Sequence, residues 1–299
     1  MKIGYIGLGK MGKNMVLRLL EQGVEVVAWN RSAEPVKEVV VAGAIGAQDI
    51  ENLVSQLEAP RVVWIMLPQG EVVDEFIGYL VPLLSQGDLI IDGGNSFYKD
   101  SVRRAAELSA KGINFMDIGT SGGPGGARKG ACLMVGGERA DFERVEELLK
   151  AIAAPEAYGY FGKAGAGHFA KMVHNGIEYG MMEAIGEGAA ILQKSEFEID
   201  LPEVFRVYNN GSVIESRLVG WTKEALDEDV ELSEISTKIS ATGEGEWTVN
   251  AAHEMDLDAR VIEDSFKVRQ ESSEDSGDYR AKVVSAMRGK FGGHPVKKS

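Results

Sequence analysis

The sequence holds a single cysteine, no apolar run long enough to cross a bilayer, and too few basic residues to balance its acids. Each shortage removes a class of function. A lone thiol, Cys132, cannot build a disulfide framework, so a reducing, cytoplasmic setting is expected. It lies in the apolar run Ala131-Cys132-Leu133-Met134-Val135 and reads as a reduced core thiol. A membrane-spanning helix needs about 18 or more consecutive apolar residues, and none is present. Met1-Lys2 leads directly into Ile3-Gly4-Tyr5-Ile6-Gly7, a strand pattern rather than a signal peptide. With 32 Lys and Arg against 46 Asp and Glu, the formal net charge is −14. That balance argues against nucleic acid or an anionic membrane as partner. The end of the chain has the opposite shortage: Tyr279 to Ser299 contains no Asp or Glu, yet holds Arg280, Lys282, Arg288, Lys290, His294, Lys297 and Lys298. A purely basic end on so acidic a chain reads as an anion-binding element.

What is present is ordinary globular composition. A chain of 299 residues, 44% hydrophobic and 26% charged, is long enough for one or two domains with a sizeable core. No repeat of 20–50 residues and no low-complexity linker interrupts it.

The first clear pattern is a short apolar strand, Lys2 to Ile6, followed by Gly7-Leu8-Gly9-Lys10-Met11-Gly12 and a helix from Asn14. This is G-x-G-x-x-G in a strand–turn–helix setting. The first glycine permits the turn, the second admits a pyrophosphate, and the third lets helix and strand pack closely. The helix N-terminus then supplies N–H groups to the phosphates. A second strand, Val24 to Trp29, ends in Asn30-Arg31-Ser32. An acidic residue here would bind the ribose 2′-hydroxyl of NAD. None is present, and Arg31 with Ser32 suits a 2′-phosphate, so NADP is the expected cofactor and NAD the alternative. The candidate cofactor residues are Gly7, Leu8, Gly9, Met11, Gly12, Asn30, Arg31, Ser32, Leu67 and Asn95.

Further strands follow. Arg61 to Leu67 is a nearly continuous apolar run, as a parallel strand buried on both faces requires. Asp88 to Asp92 and Ile113 to Ile118 are the next. Gly119-Thr-Ser-Gly-Gly-Pro-Gly-Gly126 reads as a glycine-rich loop whose backbone can approach a ligand, with Ser121 offering a hydroxyl. Strand signals stop after Phe161. The expected fold is an α/β Rossmann-like dinucleotide-binding domain over 1–163, followed by an all-α domain over 164–299 that serves substrate binding and oligomerisation and ends in the basic tail.

The helical part opens with a long helix from Gly165. It carries Lys171, His174, Asn175 and Glu178 at offsets 0, +3, +4 and +7. At about 100° per residue, Lys171, Asn175 and Glu178 share one narrow stripe. Interior Gly176, Gly180, Gly186 and Gly188 each cost about 1 kcal/mol relative to Ala, which suggests close packing against this helix.

These stretches resemble one family, the short form of 6-phosphogluconate dehydrogenase (decarboxylating), within the β-hydroxyacid dehydrogenases. The resemblance rests on Gly7 to Gly12, Ile91-Asp-Gly-Gly-Asn-Ser96, Ser121-Gly-Gly123 with Gly126-Ala-Arg128, Gly165 to Tyr179, Gly245-Glu-Trp-Thr248, and Arg288 with His294. It implies hydride transfer from C3 of 6-phosphogluconate to a nicotinamide, loss of CO2, and protonation of the enediol to ribulose 5-phosphate, without a metal. Lys171 matches the general base and must be neutral when it acts, which burial or a nearby charge would favour. Glu178 matches the acid that protonates C1. Asn175 and His174 match substrate and ring-orienting contacts. Asn95, Ser121, Gly122 and Gly123 match residues that hold sugar acid and nicotinamide, and Tyr179 matches a phosphate contact. Arg288 and His294 match a pair that reaches the substrate from a neighbouring subunit, implying a homodimer or homotetramer. Arg269 is a further candidate substrate contact. The sequence departs from the long form at Thr242 and Glu244, where a lysine and a threonine would stand, and it lacks the second helical repeat. Competing readings are a 3-hydroxyisobutyrate dehydrogenase-like enzyme and a dinucleotide-binding regulator without turnover.

Overall fold

The computed structural model describes residues 1–239, 243–274, 276–293 and 296. The chain divides into two compact units, Met1–Met172 and Val173–Ser299. The first alternates strands and helices: β1 (Lys2–Ile6), α1 (Lys10–Glu21), β2 (Glu25–Trp29), α2 (Ala33–Val41), β3 (Ile45–Gly46), α3 (Ile50–Ser55), β4 (Val62–Ile65), α4 (Glu71–Leu80) and β5 (Leu89–Asp92). It continues with α5 (Tyr98–Ser109), β6 (Asn114–Ser121), α6 (Gly123–Lys129), β7 (Ala131–Gly136), α7 (Arg139–Ile152) and β8 (Ala153–Gly162). The strands form one sheet in the order β3-β2-β1-β4-β5-β6-β7-β8. All neighbouring pairs are parallel except β6 and β7. Strand order reverses at β1, which pairs with both β2 and β4. Open α/β sheets bind ligands in the crevice beyond the strand ends at such a reversal.

The apolar runs are continuous because both faces of the sheet are covered. Along β4, Val62 and Trp64 enter one core with Tyr5, Met15 and Val145, while Val63 and Ile65 enter the other with Ile6, Leu53 and Ile77. Period-2 alternation thus divides one hydrophobic strand between two helical layers.

The structure corrects the reading of Cys132 as a core thiol. Ala131 and Leu133 point into the first core, whereas Cys132 between them is exposed. The other residues of β7 are buried. The glycine-rich loop is also corrected. Gly119 to Ser121 belong to β6, and α6 begins at Gly123. The turn is confined to Gly122 and Gly123, with φ of 121° and 62°, values that favour glycine.

Helix α8 (Ala166–Gln193) begins in the first unit and continues into the second. Its first turn is held by β6. Asp117, fully buried, accepts from the Gly165 and His168 N–H groups, both at 2.7 Å. These N–H groups have no partner within the helix, and a carboxylate there also meets the positive end of the helix dipole. Gly167 permits the approach, since a Cβ on it would lie 2.5 Å from the carbonyl oxygens of Asp117 and Met134.

The second unit holds the rest of α8 with α9 (Leu201–Tyr208), α10 (Arg217–Glu228), α11 (Glu244–Glu254), α12 (Arg260–Glu271) and α13 (Tyr279–Gly292). Met182 and Ala189 of α8 share a core with Phe205, Leu226, Val284 and Met287. Asp200, Ser216 and Asp278 cap α9, α10 and α13 through their side chains. Of Gly176, Gly180, Gly186 and Gly188, two have the expected reason: a Cβ on Gly176 would lie 2.6 Å from Thr248 Cγ2, and one on Gly186 2.9 Å from Val284 Cγ2. Gly180 would meet only ordinary contact, and Gly188 has nothing within 4 Å.

Removing the Asp117 carboxylate leaves two buried N–H groups without their acceptor. Each unsatisfied group costs about 1–3 kcal/mol, so Asp117→Ala should lower unfolding free energy by about 2–5 kcal/mol. Denaturant titration checks this; a midpoint within error of wild type would show that the cap is dispensable.

Candidate active site

The three glycines of the first motif occupy three different environments. Gly7 has φ of 98°, and its missing Cβ would fall 2.3 Å from the Met66 carbonyl. The missing Cβ of Gly12 would fall 2.0 Å from the Gly7 carbonyl, so α1 presses on the turn. Gly9 has nothing within 4 Å, and it precedes α1 with no side-chain cap. A turn, a close packing contact and an open approach to a helix N-terminus are the three requirements of a pyrophosphate cradle. Asn30 braces it: its Oδ1 accepts from Leu8 N at 2.9 Å, and its Nδ2 donates to Ser32 O at 3.0 Å. Asn30, a candidate cofactor residue, therefore spends its amide on holding the turn. Arg31 and Ser32 beside it are exposed. Leu67 lies against Gly7, 3.2 Å from that glycine's missing Cβ, and Met11 is half-buried on α1.

Asn95 sits on the loop that follows β5. A Cβ on Gly94 would lie 2.8 Å from Leu67 O, so the loop touches the end of β4. Buried Asp92 organises the loop: it accepts from Gly94 N at 3.1 Å, from Ser96 Oγ at 2.7 Å and from Arg104 Nη1 at 3.4 Å. Arg104, also buried, donates to Asp74 through Nε at 2.8 Å and to Gly70 O at 3.1 Å. Sequence reasoning missed Asp92 and Arg104 as organisers. The available signal was an acid closing the apolar strand Leu-Ile-Ile-Asp92, since a buried carboxylate requires partners.

Lys171 is seated on the glycine strand. Its Cβ lies 2.3 Å from where a Cβ on Gly119 would stand, and its Cγ 3.1 Å away. His168, one turn earlier and 2% exposed, shares a 2.7 Å hydrogen bond with Ser101 Oγ through Nδ1. Ser121 and Gly122 close the same strand.

In the second unit, His174, Asn175 and Glu178 come together. His174 Nδ1 lies 3.0 Å from Asn175 Oδ1 and 3.9 Å from Glu178 Oε2. Asn175 Nδ2 donates to Glu244 Oε1 at 3.3 Å. Beyond them is a buried cationic cluster. The Arg269 guanidinium lies 3.3 Å from the Tyr179 ring centroid, and both residues are buried. Gly245 makes room, since its Cβ would stand 2.5 Å from Tyr179 Cε2. Among the described residues, Tyr179 Oη and Arg269 Nε and Nη1 have no hydrogen-bond partner. Burial pushes the Arg269 pKa down to about 10, Arg288 adds repulsion, and Tyr179, Glu178 and Glu183 oppose the shift. Buried polar groups are normally satisfied; two N–H groups and a phenol together suit an anionic oxygen group.

The described part of the basic end is largely the packed helix α13. Arg280 pairs with Glu183 and Asp278, and Lys290 with Glu228 at 2.5 Å. Burial raises the Glu183 pKa, and Arg280 opposes that rise. Arg288 is 4% exposed within its own chain, close enough to Arg269 to depress its pKa. His294 and Thr242 lie outside the described residues.

A doubly covered parallel sheet, a glycine cradle at its strand-order reversal, a lysine at the start of α8 and a helical second unit carrying His, Asn and Glu define a dinucleotide-dependent oxidoreductase. Residues 2–164 match the NAD binding domain of 6-phosphogluconate dehydrogenase, and residues 167–298 match its C-terminal domain. The chain is 45% identical over 298 residues to YqeC of Bacillus subtilis, a candidate 6-phosphogluconate dehydrogenase, covering 100% of both chains. It is 39% identical over 298 residues to the NAD(+)-dependent, decarboxylating 6-phosphogluconate dehydrogenase of Haloferax volcanii, covering 99% of this chain and 98% of that one. Its fold resembles Plasmodium falciparum 6-phosphogluconate dehydrogenase, solved with NADP+ and with 6-phosphogluconate, at TM-score 0.83 and 29% identity, covering 96% of this chain and 70% of that one. The chain belongs to the 6-phosphogluconate dehydrogenase family.

Arg269 tests whether the buried cluster serves binding rather than stability. A buried guanidinium with open N–H groups destabilises the fold, and an apolar replacement of similar length removes that cost. Arg269→Met should melt no lower than wild type, yet raise KM for a phosphorylated sugar acid at least tenfold. A lowered melting temperature with unchanged KM would make Arg269 a structural residue.

Proposed function

We propose that this chain oxidises and decarboxylates 6-phosphogluconate to ribulose 5-phosphate and CO2, with reduction of NADP in preference to NAD. The observation that carries the reading is the seat of the Lys171 root on Gly119, near the C-terminal end of β6. The nicotinamide, when bound, accepts the hydride from C3. Gly7, Gly9 and Gly12 would hold the pyrophosphate against α1, with Leu8, Met11, Leu67 and Asn95 beside it. Lys171 takes the C3 hydroxyl proton as the hydride leaves. It then returns that proton to the ketone oxygen as the carboxylate departs as CO2. Glu178 then protonates the resulting enediol at the carbon that becomes C1 of ribulose 5-phosphate, while the hydroxyl at the former C3 gives its proton back to Lys171 and becomes the ketone. Asn95, Ser121, Gly122 and Gly123 position the sugar acid, His174 and Asn175 bind its hydroxyls, and Tyr179, Arg269 and Arg288 receive its phosphate. Exposed Arg31 and Ser32 support NADP through a charge-assisted contact to the 2′-phosphate.

The domain assignment is part of this reading: 1–163 for the dinucleotide, 164–299 for substrate and oligomerisation. A homo-oligomer is supported by the apolar stripe of Ile177, Met181 and Ile191 on α8, which are 52%, 42% and 72% exposed. Among the described residues no helix is long and apolar enough to cross a membrane.

Incubation with 6-phosphogluconate should yield reduced cofactor and CO2 in equal amounts, faster with NADP than with NAD. Absence of turnover with both cofactors would overturn the assignment, and a clear NAD preference would remove the role given to Arg31. Lys171→Met should abolish hydride transfer while NADP still binds with wild-type Kd; oxidation at near-normal rate would remove Lys171 as the base.

A further inference from the structure

Glu244 stands where the family resemblance offered no role for an acid, yet it is 5% exposed and reaches Asn175. Two close contacts fix how α11 lies on the second-unit part of α8. Thr248 packs on Gly176, and Gly245 packs on the Tyr179 ring. The Thr248 hydroxyl also donates to the Glu244 carbonyl at 2.8 Å, bracing the first turn of α11. Glu244 therefore comes from a rigid frame, with its carboxylate directed at the amide of Asn175.

The hydrogen bonds that follow have a direction. An ionised carboxylate only accepts, so the group it receives from must be the NH2 of Asn175, at 3.3 Å. The amide oxygen is then turned toward His174 Nδ1, at 3.0 Å. That oxygen also only accepts, so Nδ1 must carry the proton. In the neutral ring Nε2 is left with its lone pair. The reverse amide would set its oxygen against the carboxylate, and Nδ1 against an NH2. Glu178 Oε2, 3.9 Å from the same Nδ1, favours the protonated nitrogen as well.

We infer that Glu244 is a positioning residue that locks the Asn175 amide and thereby holds His174 in its Nδ1–H tautomer, so that Nε2 accepts a hydrogen bond from a substrate hydroxyl. The substrate half of this inference rests on the proposed function; the tautomer half does not. Free imidazole favours the opposite tautomer, with the proton on Nε2, so the lock has a distinct signature.

The test is 15N NMR of the full chain labelled at histidine, without substrate, at a pH where the ring is neutral. The His174 signal is identified by its loss in His174→Gln. The expected result is a protonated Nδ1 and a bare Nε2; a proton resting mainly on Nε2 overturns the inference without any variant at Glu244. Glu244→Gln can donate or accept, so it tolerates both amide orientations. It should give mixed tautomers at His174 and lower kcat/KM for 6-phosphogluconate about tenfold, with Kd for NADP unchanged. A folded Glu244→Gln protein with the wild-type tautomer and wild-type kcat/KM also overturns it. If that variant melts before it can be measured, the wild-type spectrum still decides. A protein that shows the Nδ1–H tautomer but does not turn over 6-phosphogluconate would refute the proposed substrate and leave the tautomer lock standing.

Discussion

The buried carboxylate of Asp117 governs where the first turn of α8 can lie. It replaces the intrahelical acceptors that the Gly165 and His168 N–H groups lack. The same strand then seats Lys171. Asp117 and Gly119 are two residues apart on β6 and face the same side. A strand advances about 6.6 Å over two residues, and a helix about 6 Å over four. Anchoring residues 167–168 of α8 at Asp117 therefore brings Lys171 opposite Gly119. Ser121, two residues further, falls on the same face again. Cap, seat and candidate substrate hydroxyl share one side of one strand because the rise of one helical turn matches the rise of a strand dipeptide.

The second unit distributes its charges differently. Two cations of α13 are neutralised locally: Arg280 by Glu183 and Asp278, Lys290 by Glu228. What remains concentrated is the buried group of Arg269, Arg288 and Tyr179, where two guanidiniums repel each other and burial already lowers the Arg269 pKa to about 10. Such a cluster weakens the isolated fold, and an anion that supplied negative charge would relieve it. The sign follows directly. Arg269 is depressed below its ordinary value, so its cost to folding is present in full below about pH 10 and fades as pH rises through that range. On the proposed function, the substrate's phosphate relieves this cost when it binds.

Much of the fold was legible because its signals are local. G-x-G-x-x-G after a strand, continuous apolar runs for a doubly covered sheet, and the change from strand to helix patterns near Phe161 each depend on neighbours in sequence. The polar stripe on α8 was legible for the same reason, since helical offsets fix which side chains share a face. What could not be read depends on pairing across the sheet or between helices. Asp117 is one acid in an apolar strand, and nothing near it in sequence names its partners at 165 and 168. Arg104 serves Asp92 and Asp74 from a different element. Glu244 stands where the sequence departs from the long form, and nothing near it names the α8 amide that its carboxylate meets. Cys132 is exposed in a strand whose other residues are all buried, and its apolar neighbours in sequence do not single it out. The glycines of α8 show the same limit: Gly176 and Gly186 are demanded by Thr248 and Val284, while Gly188 meets nothing, and no local pattern separates them.

The two kinds of functional side chain are restrained at opposite ends, and the chemistry explains why. Lys171 is held at its root, where Cβ and Cγ press on Gly119. A base that removes a proton from one oxygen and later returns it needs a fixed origin and a long arm that can follow the reacting atoms. His174 and Asn175 are held at their tips, through the contacts that end at Glu244. Groups that only recognise hydroxyls gain from fixed donor and acceptor directions, because an amide or imidazole turned the wrong way presents the wrong partner. Packing against glycine gives the first kind of restraint, and a directional hydrogen-bond chain gives the second. On the proposed roles, the glycine at 119 and the acid at 244 serve opposite needs of the same reaction.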